Sequence, residues 1–151
     1  RDAPGPPQPG PPQTRRAQAS GEVMLVDTSV WIELLAGRLT VRDDDLLRFV
    51  TCGPIVQEVL QGLRENAAGE AFRETLLAIP RLDDPLSLDA FLEAAEIYRL
   101  GRRKGYTIRS TVDCLIAAVA IRNKTPIWHK DRDYTAIARY TSLRALAWRT
   151  A

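Results

Sequence analysis

Four short apolar segments of this chain each lead to an acidic side chain. The segments are MLVDTS, PIVQEV, RSTVDCLIAA and IWHKDRDY, and their acidic residues are Asp27, Glu58, Asp113 and Asp131, with Asp133 two positions further on. Three of the four segments have the pattern of strand ends or helix starts in an α/β protein, so their carboxylates can converge. Carboxylates held close together repel one another unless a proton or a cation lies between them. A hard divalent ion such as Mg²⁺ or Mn²⁺ suits such oxygen-only ligands.

Strand and helix patterns alternate along most of the chain. The apolar runs VMLV, FVTC, TPIWHK and SLRALAW predict short strands, and longer segments of helical periodicity separate them. One of these segments, TIRSTVDCLIAAVAIRN, carries no polar side chain from Cys114 to Ile121 and predicts a helix buried on all sides. Strands that alternate with helices predict an α/β fold whose parallel sheet is covered on both faces.

Length and composition narrow the class of protein. The chain of 151 residues predicts one domain, residues 23–151, after a disordered Pro-rich tail, residues 1–22, which holds six of the ten prolines. A net charge of +2 is too small to predict nucleic-acid binding by itself. Cys52 and Cys114 lie in apolar surroundings and predict buried free thiols. Since neither a membrane-spanning run nor a signal peptide is visible, we expect a soluble cytoplasmic protein.

Two interpretations of Asp27 stay open, because it follows the run VMLV directly. Ligands of open parallel sheets bind just beyond the carboxyl ends of strands, which favours a metal ligand. An Asp in a D-T-S segment is also a common turn or N-cap residue, although Thr28 or Ser29 can cap the following helix instead. Glu58 lies in the helical segment IVQEVLQGL, where a solvated position is the simpler interpretation when the residue is taken alone.

The acidic residues of the second half introduce helices. Ser110 and Asp113 frame a segment, STVD, that is similar to a capping box. Asp113 also begins the driest helix of the chain, where a buried anion needs a cation or backbone N–H groups. Asp131 follows the strand segment PIWHK, and we favour it as the ligand, with Asp133 as a second, water-mediated candidate. One of these two residues can instead cap the next helix.

Taken together and in order, the acidic segments resemble the motifs of a known family. MLVDTSVWIELL, PIVQEVLQGL, STVDCLIAAVAIRN and WHKDRDYTAIA are similar to the four acidic motifs of PIN-domain ribonucleases, and most of all to the toxin component of VapBC toxin–antitoxin pairs. The resemblance covers residues 23 to about 147 and implies a three-layer α/β/α sandwich with a central, mostly parallel sheet. It implies catalytic and metal-binding roles for Asp27, Glu58, Asp113 and Asp131, and a supporting role for Ser29.

The resemblance also implies an activity and its partners. It implies an endoribonuclease that uses Mg²⁺, with Mn²⁺ as a substitute, that forms a homodimer and that a cognate antitoxin inhibits. Our hypothesis is that Asp27 and Asp113 bind the metal directly, while Glu58 and Asp131 act directly or through water. The acids can hold one ion, or two when RNA arrives. A basic segment of the antitoxin would suit the acidic cleft.

An acidic site needs positive charge at its rim to bind RNA. The candidates for phosphate contacts are Arg102, Arg103, Lys104 and Arg109, which precede Asp113. The alternative is that they end a helix, where the helix dipole favours cations in any case. Trp31 and Trp128 could stack on bases, but both lie in apolar patterns, which favours core packing.

Two rival functions remain at this point. A strand-end Asp can accept a phosphoryl group, but the residue two after Asp27 is Ser29, where D-x-D phosphatases have a second Asp. The second rival is a catalytically dead PIN-fold binding module, against which the presence of all four acids argues. RNA target choice lies in rim shape and loop contacts, which the sequence pattern does not resolve.

Overall fold

The computed structural model describes residues 21–148, within which the chain forms four strands and seven helices. The strands are β1 (Met24–Val26), β2 (Phe49–Val50), β3 (Ile127–His129) and β4 (Ala145–Ala147). The helices are α1 (Thr28–Leu35), α2 (Asp43–Leu46), α3 (Gly53–Gly62), α4 (Ala67–Ala78), α5 (Leu88–Arg103), α6 (Thr111–Arg122) and α7 (Arg132–Ala138). The predicted Pro-rich tail, residues 1–22, lies outside the described residues except for its last two.

The four strands form one parallel sheet in the order β2-β1-β3-β4. Leu25 of β1 is paired with Val50 on one side and with Ile127 on the other. Every residue of β1 and β3 is buried, as expected for inner strands of a parallel sheet that helices cover on both faces. The predicted α/β sandwich with a central parallel sheet is therefore confirmed.

Helix α6 is the buried centre of the helical layers. It packs along α5. Six of its apolar residues are buried: Cys114, Ile116, Ala117, Ala118, Val119 and Ala120. Its small side chains allow the neighbouring helices to approach closely, so that α3, α5 and α7 all contact it. The prediction that this segment is a helix buried among its neighbours is confirmed. Its first turn carries Asp113 into the interior.

Two of the three tryptophans, Trp31 and Trp128, belong to the buried core, as predicted. Trp31 and Trp128 are 1% and 2% exposed. The ring of Trp31 meets Phe49 and Phe72 edge to face, with centroids 5.9 and 5.8 Å apart, and Phe49 in turn meets Trp128 at 5.8 Å. Such edge-to-face contacts are a favoured arrangement of buried aromatic pairs. These two side chains therefore support the sheet from inside and are not available for stacking on bases.

The structure also bears on two predictions made from composition. Cys52 and Cys114 are free and buried, as predicted. Burial raises the pKa of the Cys52 thiol to about 12 and that of Cys114 to about 11, so both remain neutral near pH 7. Among the helices formed by residues 21–148, none is long and apolar enough to cross a membrane.

Candidate active site

Asp27 follows β1 directly and is both a helix cap and a member of the acidic cluster. Its Oδ2 accepts hydrogen bonds from the backbone N–H of Ser29 at 2.9 Å and from the Ser29 hydroxyl at 2.5 Å. Its Oδ1 accepts one from the hydroxyl of Tyr134 at 2.8 Å. The prediction that Thr28 or Ser29 caps α1 is wrong, because Asp27 itself is the N-cap. Of the two interpretations that the sequence left open, the N-cap is therefore confirmed, and the role of metal ligand stays a prediction.

Ser29 ties the start of α1 to the end of β3. Besides donating to Asp27, its hydroxyl accepts a hydrogen bond from the backbone N–H of Lys130 at 3.0 Å. The hydroxyl therefore acts as both a hydrogen-bond donor and an acceptor, and it holds the carboxylate of Asp27 in one orientation. This contact gives a physical basis to the supporting role that the resemblance implied for Ser29.

Glu58 reaches the site from α3 and is half-buried. Its Oε2 accepts a hydrogen bond from the Thr28 hydroxyl at 2.7 Å, which brings its carboxylate next to the start of α1. The simpler interpretation of this residue, a solvated helix position, does not describe a half-buried side chain with a specific partner on another helix. The sequence predicts Thr28 only as a cap and contains no signal that its hydroxyl contacts Glu58.

Asp113 lies in the first turn of α6 and is only 8% exposed. Its backbone N–H donates to the Ser110 side chain at 3.3 Å, so one half of the predicted capping box is present. Its Oδ1 lies 3.2 Å from the hydroxyl of Tyr134. Burial, followed by the charges of Asp27 and Asp131, raises the pKa of Asp113 from 3.8 to about 7. Such a carboxyl is poised to gain a counter-charge.

Asp131 and Asp133 complete the cluster at the start of α7. Asp131 is the N-cap of this helix, and its Oδ1 accepts a hydrogen bond from the backbone N–H of Asp133 at 2.9 Å. One carboxylate oxygen from each of Asp113, Asp131 and Asp133 lies within 4.8 Å of the other two. Asp131 is half-buried and faces an open cleft, whereas Asp133 is 3% exposed.

Arg109 forms ion pairs with both Asp131 and Asp133 at the start of α7. Its backbone N–H and its Nε donate to the two oxygens of Asp133, at 3.1 and 3.4 Å, and its Nη2 donates to Asp131 at 3.2 Å. Both oxygens of Asp133 are therefore engaged by Arg109. This geometry favours Asp131 over Asp133 as a group that can face a ligand. It also fixes a half-exposed guanidinium at the edge of the acidic cluster.

The other predicted phosphate contacts lie at the end of α5, which leads through a short connection to the start of α6. Arg102, Arg103 and Lys104 are exposed there, and Arg103 forms an ion pair with Glu96 at 2.6 Å. Only Arg109 of the predicted four forms hydrogen bonds with the acidic cluster within the described part of the chain. The four therefore do not act as one basic patch in contact with the carboxylates.

An open cleft beside the acids contains residues that sequence reasoning missed. Its lining is Ser29, Ile32, Glu33, Arg109, Lys130, Asp131 and Arg132. Glu33 is buried and pairs with Arg38 at 2.8 Å and with Lys130 at 3.0 Å, and these two cations lower its pKa to about 2. Lys130 is thereby held at the cleft wall. The adjacency of Lys130 and Arg132 to Asp131 in the sequence was the signal that could have identified them.

Tyr134 is the most informative residue that was missed. It is fully buried, and its hydroxyl lies within hydrogen-bond distance of both Asp27 and Asp113. Its pKa is raised well above its usual value, chiefly by burial and then by the charges of the two carboxylates, so the phenol keeps its proton. The sequence signal was weak, because an aromatic residue on a helix next to Ile137 and Ala138 is usually a simple core residue.

The carboxylates fit a divalent cation by their chemistry. They offer only oxygen ligands, Asp27, Asp113 and Asp133 are buried, and the pKa of Asp113 is raised by burial and then by its acidic neighbours. Oδ2 of Asp113 accepts no hydrogen bond from residues 21–148. Hard cations such as Mg²⁺ and Mn²⁺ prefer this set of ligands. Asp27, Asp113 and Asp131, with Glu58 beside them, are the residues that could hold one.

Comparisons with known proteins agree with this description. The PIN domain family model matches residues 24–140. VapC ribonuclease Mb1587 of Mycobacterium bovis and ribonuclease VapC11 of Mycobacterium tuberculosis are each 36% identical to this chain over 135 residues, which is 84% of this chain and 100% of each relative.

Solved structures share the fold at lower identity. The chain is similar to VapBC-5 of Mycobacterium tuberculosis, a member of the VapBC family of toxin–antitoxin systems, with a TM-score of 0.63 and 22% identity over 83% of this chain and 98% of that one. It is also similar to DNA-bound VapBC of Salmonella typhimurium, with a TM-score of 0.64 and 17% identity over 85% and 99% of the two chains. The chain therefore belongs to the PIN-domain family, as a relative of the VapC ribonucleases.

Proposed function

We propose that this protein is a metal-dependent endoribonuclease that acts as the toxin of a VapBC-type pair. The observation that carries the proposal is the convergence of carboxylates from α3 and from the starts of α1, α6 and α7 on one partly buried site. The relatives named VapC ribonucleases support it, because this chain is 36% identical to them over their full length.

In this proposal the acidic residues divide the work. Asp27 and Asp113 bind Mg²⁺ or Mn²⁺ directly, and Glu58 and Asp131 act directly or through water. A cation held by these carboxylates would supply an activated water molecule and would relieve charge on the scissile phosphate. Ser29 holds the orientation of Asp27. Asp133 acts through Arg109, since both of its oxygens are engaged there.

The proposal includes partners of opposite charge. RNA enters along the cleft, where Arg109, Lys130 and Arg132 offer positive charge to phosphates, with Arg102, Arg103 and Lys104 as outer contacts. A cognate antitoxin inhibits the enzyme by laying a basic segment over the acids. The active form is a homodimer, and a cytoplasmic location remains a prediction from the sequence.

Cleavage of a total RNA pool tests the proposal. With Mg²⁺ or Mn²⁺ we expect discrete fragments, which disappear with EDTA and fall at least about 100-fold in Asp27→Asn, since even outer-shell changes at metal sites cost 10–100-fold. Asp44→Asn, an exposed acid on α2, is the matched control and should cleave normally. If the unaltered chain binds Mn²⁺ but cleaves no RNA, or binds no metal at all, the dead binding module is the better description.

The raised pKa of Asp113 predicts that metal binding depends on pH. Below about pH 7 this carboxyl is mostly protonated in the folded protein, so a cation must displace the proton. Mn²⁺ affinity should therefore rise about tenfold per pH unit up to pH 7 and then level off. Isothermal titration across this range measures it, and Asp113→Asn should bind weakly at every pH. A flat profile in the unaltered chain, or unchanged affinity in Asp113→Asn, would contradict the assignment.

Arg109 predicts a change in the salt dependence of RNA binding. In the non-cleaving Asp27→Asn background, log affinity falls with log salt. Arg109→Gln should make this negative slope shallower by about 0.7, the value for one phosphate contact on a single strand. Arg109→Lys should retain most of the slope, because it keeps the charge, and Arg73→Gln on the exposed face of α4 is the control. An equal slope for Arg109→Gln and Arg73→Gln would reject Arg109 as a phosphate contact.

A further inference from the structure

One side chain joins the two carboxylates that are proposed as direct metal ligands. The hydroxyl of Tyr134 lies 2.8 Å from Oδ1 of Asp27 and 3.2 Å from Oδ1 of Asp113. Among residues 21–148, no other side chain forms hydrogen bonds with both carboxylates. Tyr134 is itself fully buried in the first turn of α7. It therefore links the starts of three helices at the centre of the site.

The bridge is unsymmetrical, because a phenol has only one proton to donate. The shorter distance makes Asp27 the stronger acceptor of that proton and leaves Asp113 with the longer and weaker contact. Asp27 is then fully supplied with donors, since Ser29 donates to its other oxygen. Asp113 has no such supply of donors for its carboxylate within the described residues, and its negative charge must be balanced by something else.

The bridge also determines which oxygen of Asp113 is available. Oδ1 points at Tyr134, and Oδ2 accepts no hydrogen bond from the described residues. The ring of Tyr134 has few rotatable bonds and is enclosed by the core, so it acts as a rigid spacer between two carboxylates that come from different helices. Removing the hydroxyl would leave Asp27 held only by Ser29, and it would free the carboxylate of Asp113 to rotate away under the mutual repulsion of the two charges.

We propose that Tyr134 is a positioning residue of the metal site, whose hydroxyl orients Asp27 and turns the free oxygen of Asp113 toward the cation. This inference rests on the proposed function and names a residue beyond the four acids. The hydroxyl acts through the carboxylates and contacts neither RNA nor the attacking water. Partners of this kind typically change metal affinity by 10–100-fold when they are removed.

Tyr134→Phe tests the inference, because it removes one oxygen and keeps the ring. Titration with Mn²⁺ at one fixed pH should show affinity reduced at least about tenfold, and the rise in melting temperature on adding Mn²⁺ should shrink accordingly. Tyr140→Phe is the matched control, since the hydroxyl of this half-buried tyrosine donates to the backbone carbonyl of Ile97 at 3.1 Å. Its Mn²⁺ affinity should equal that of the unaltered chain.

A double variant separates positioning from a merely structural role. If Tyr134 acts through Asp113, then adding Tyr134→Phe to Asp113→Asn should weaken Mn²⁺ binding far less than it does in the unaltered chain. Equal losses in both backgrounds would overturn the inference. So would unchanged or tighter Mn²⁺ binding in folded Tyr134→Phe, or failure of this variant to fold without metal, which would make Tyr134 a structural residue.

The unaltered chain, titrated with Mn²⁺ and assayed for RNA cleavage in parallel, distinguishes the two levels of failure. If it binds Mn²⁺ and cleaves RNA while Tyr134→Phe binds equally well, only the inference fails. If it binds Mn²⁺ and Tyr134→Phe binds weakly but neither cleaves RNA, the positioning role stands and the proposed function fails. Absence of Mn²⁺ binding by the unaltered chain would overturn both.

Discussion

Repulsion between buried carboxylates is the constraint on which the rest of the structure depends. Asp27 and Asp113 are 4% and 8% exposed, and both lie beside Tyr134 rather than in water. Like charges in such a setting raise the free energy of the folded state unless they are balanced. The protein supplies part of the balance itself, through Ser29 at Asp27 and through Arg109 at Asp131 and Asp133. The pKa of Asp113 nevertheless stays raised, because burial and the neighbouring carboxylates disfavour its charged form. A bound cation would lower this pKa.

The fold brings these carboxylates together because the starts of three helices meet at one point. Asp27 caps α1, Asp113 lies in the first turn of α6, and Asp131 caps α7. The positive end of each helix dipole lowers the cost of an anion at its start. A parallel sheet favours this arrangement for α1 and α7, which follow β1 and β3 at the same edge of the sheet, whereas α6 follows α5. The buried aromatic contacts join α1 to β2, β3 and α4.

The fold followed from sequence periodicity, whereas the site followed only in part. Short apolar runs predicted the strands, and the unbroken apolar stretch from Cys114 to Ile121 predicted α6. Asp27, Asp113 and Asp131 were identifiable because each leaves a strand or begins a helix. Tyr134 was not, since its ring fits an ordinary core position and only the tertiary structure aims its hydroxyl at two carboxylates from other helices. Helix capping by Thr28 or Ser29 was predicted wrongly, because local propensity does not distinguish three adjacent good caps.

Anomalous diffraction from crystals of the protein grown with Mn²⁺ tests directly whether these carboxylates jointly hold a catalytic cation. We expect a manganese peak at coordination distance from both Asp27 and Asp113, with Oδ2 of Asp113 as the ligand atom and Tyr134 still bridging the opposite oxygens. A peak bound by Asp131 and Asp133 alone, with Arg109 displaced, or a peak remote from Asp27 and Asp113, would contradict it.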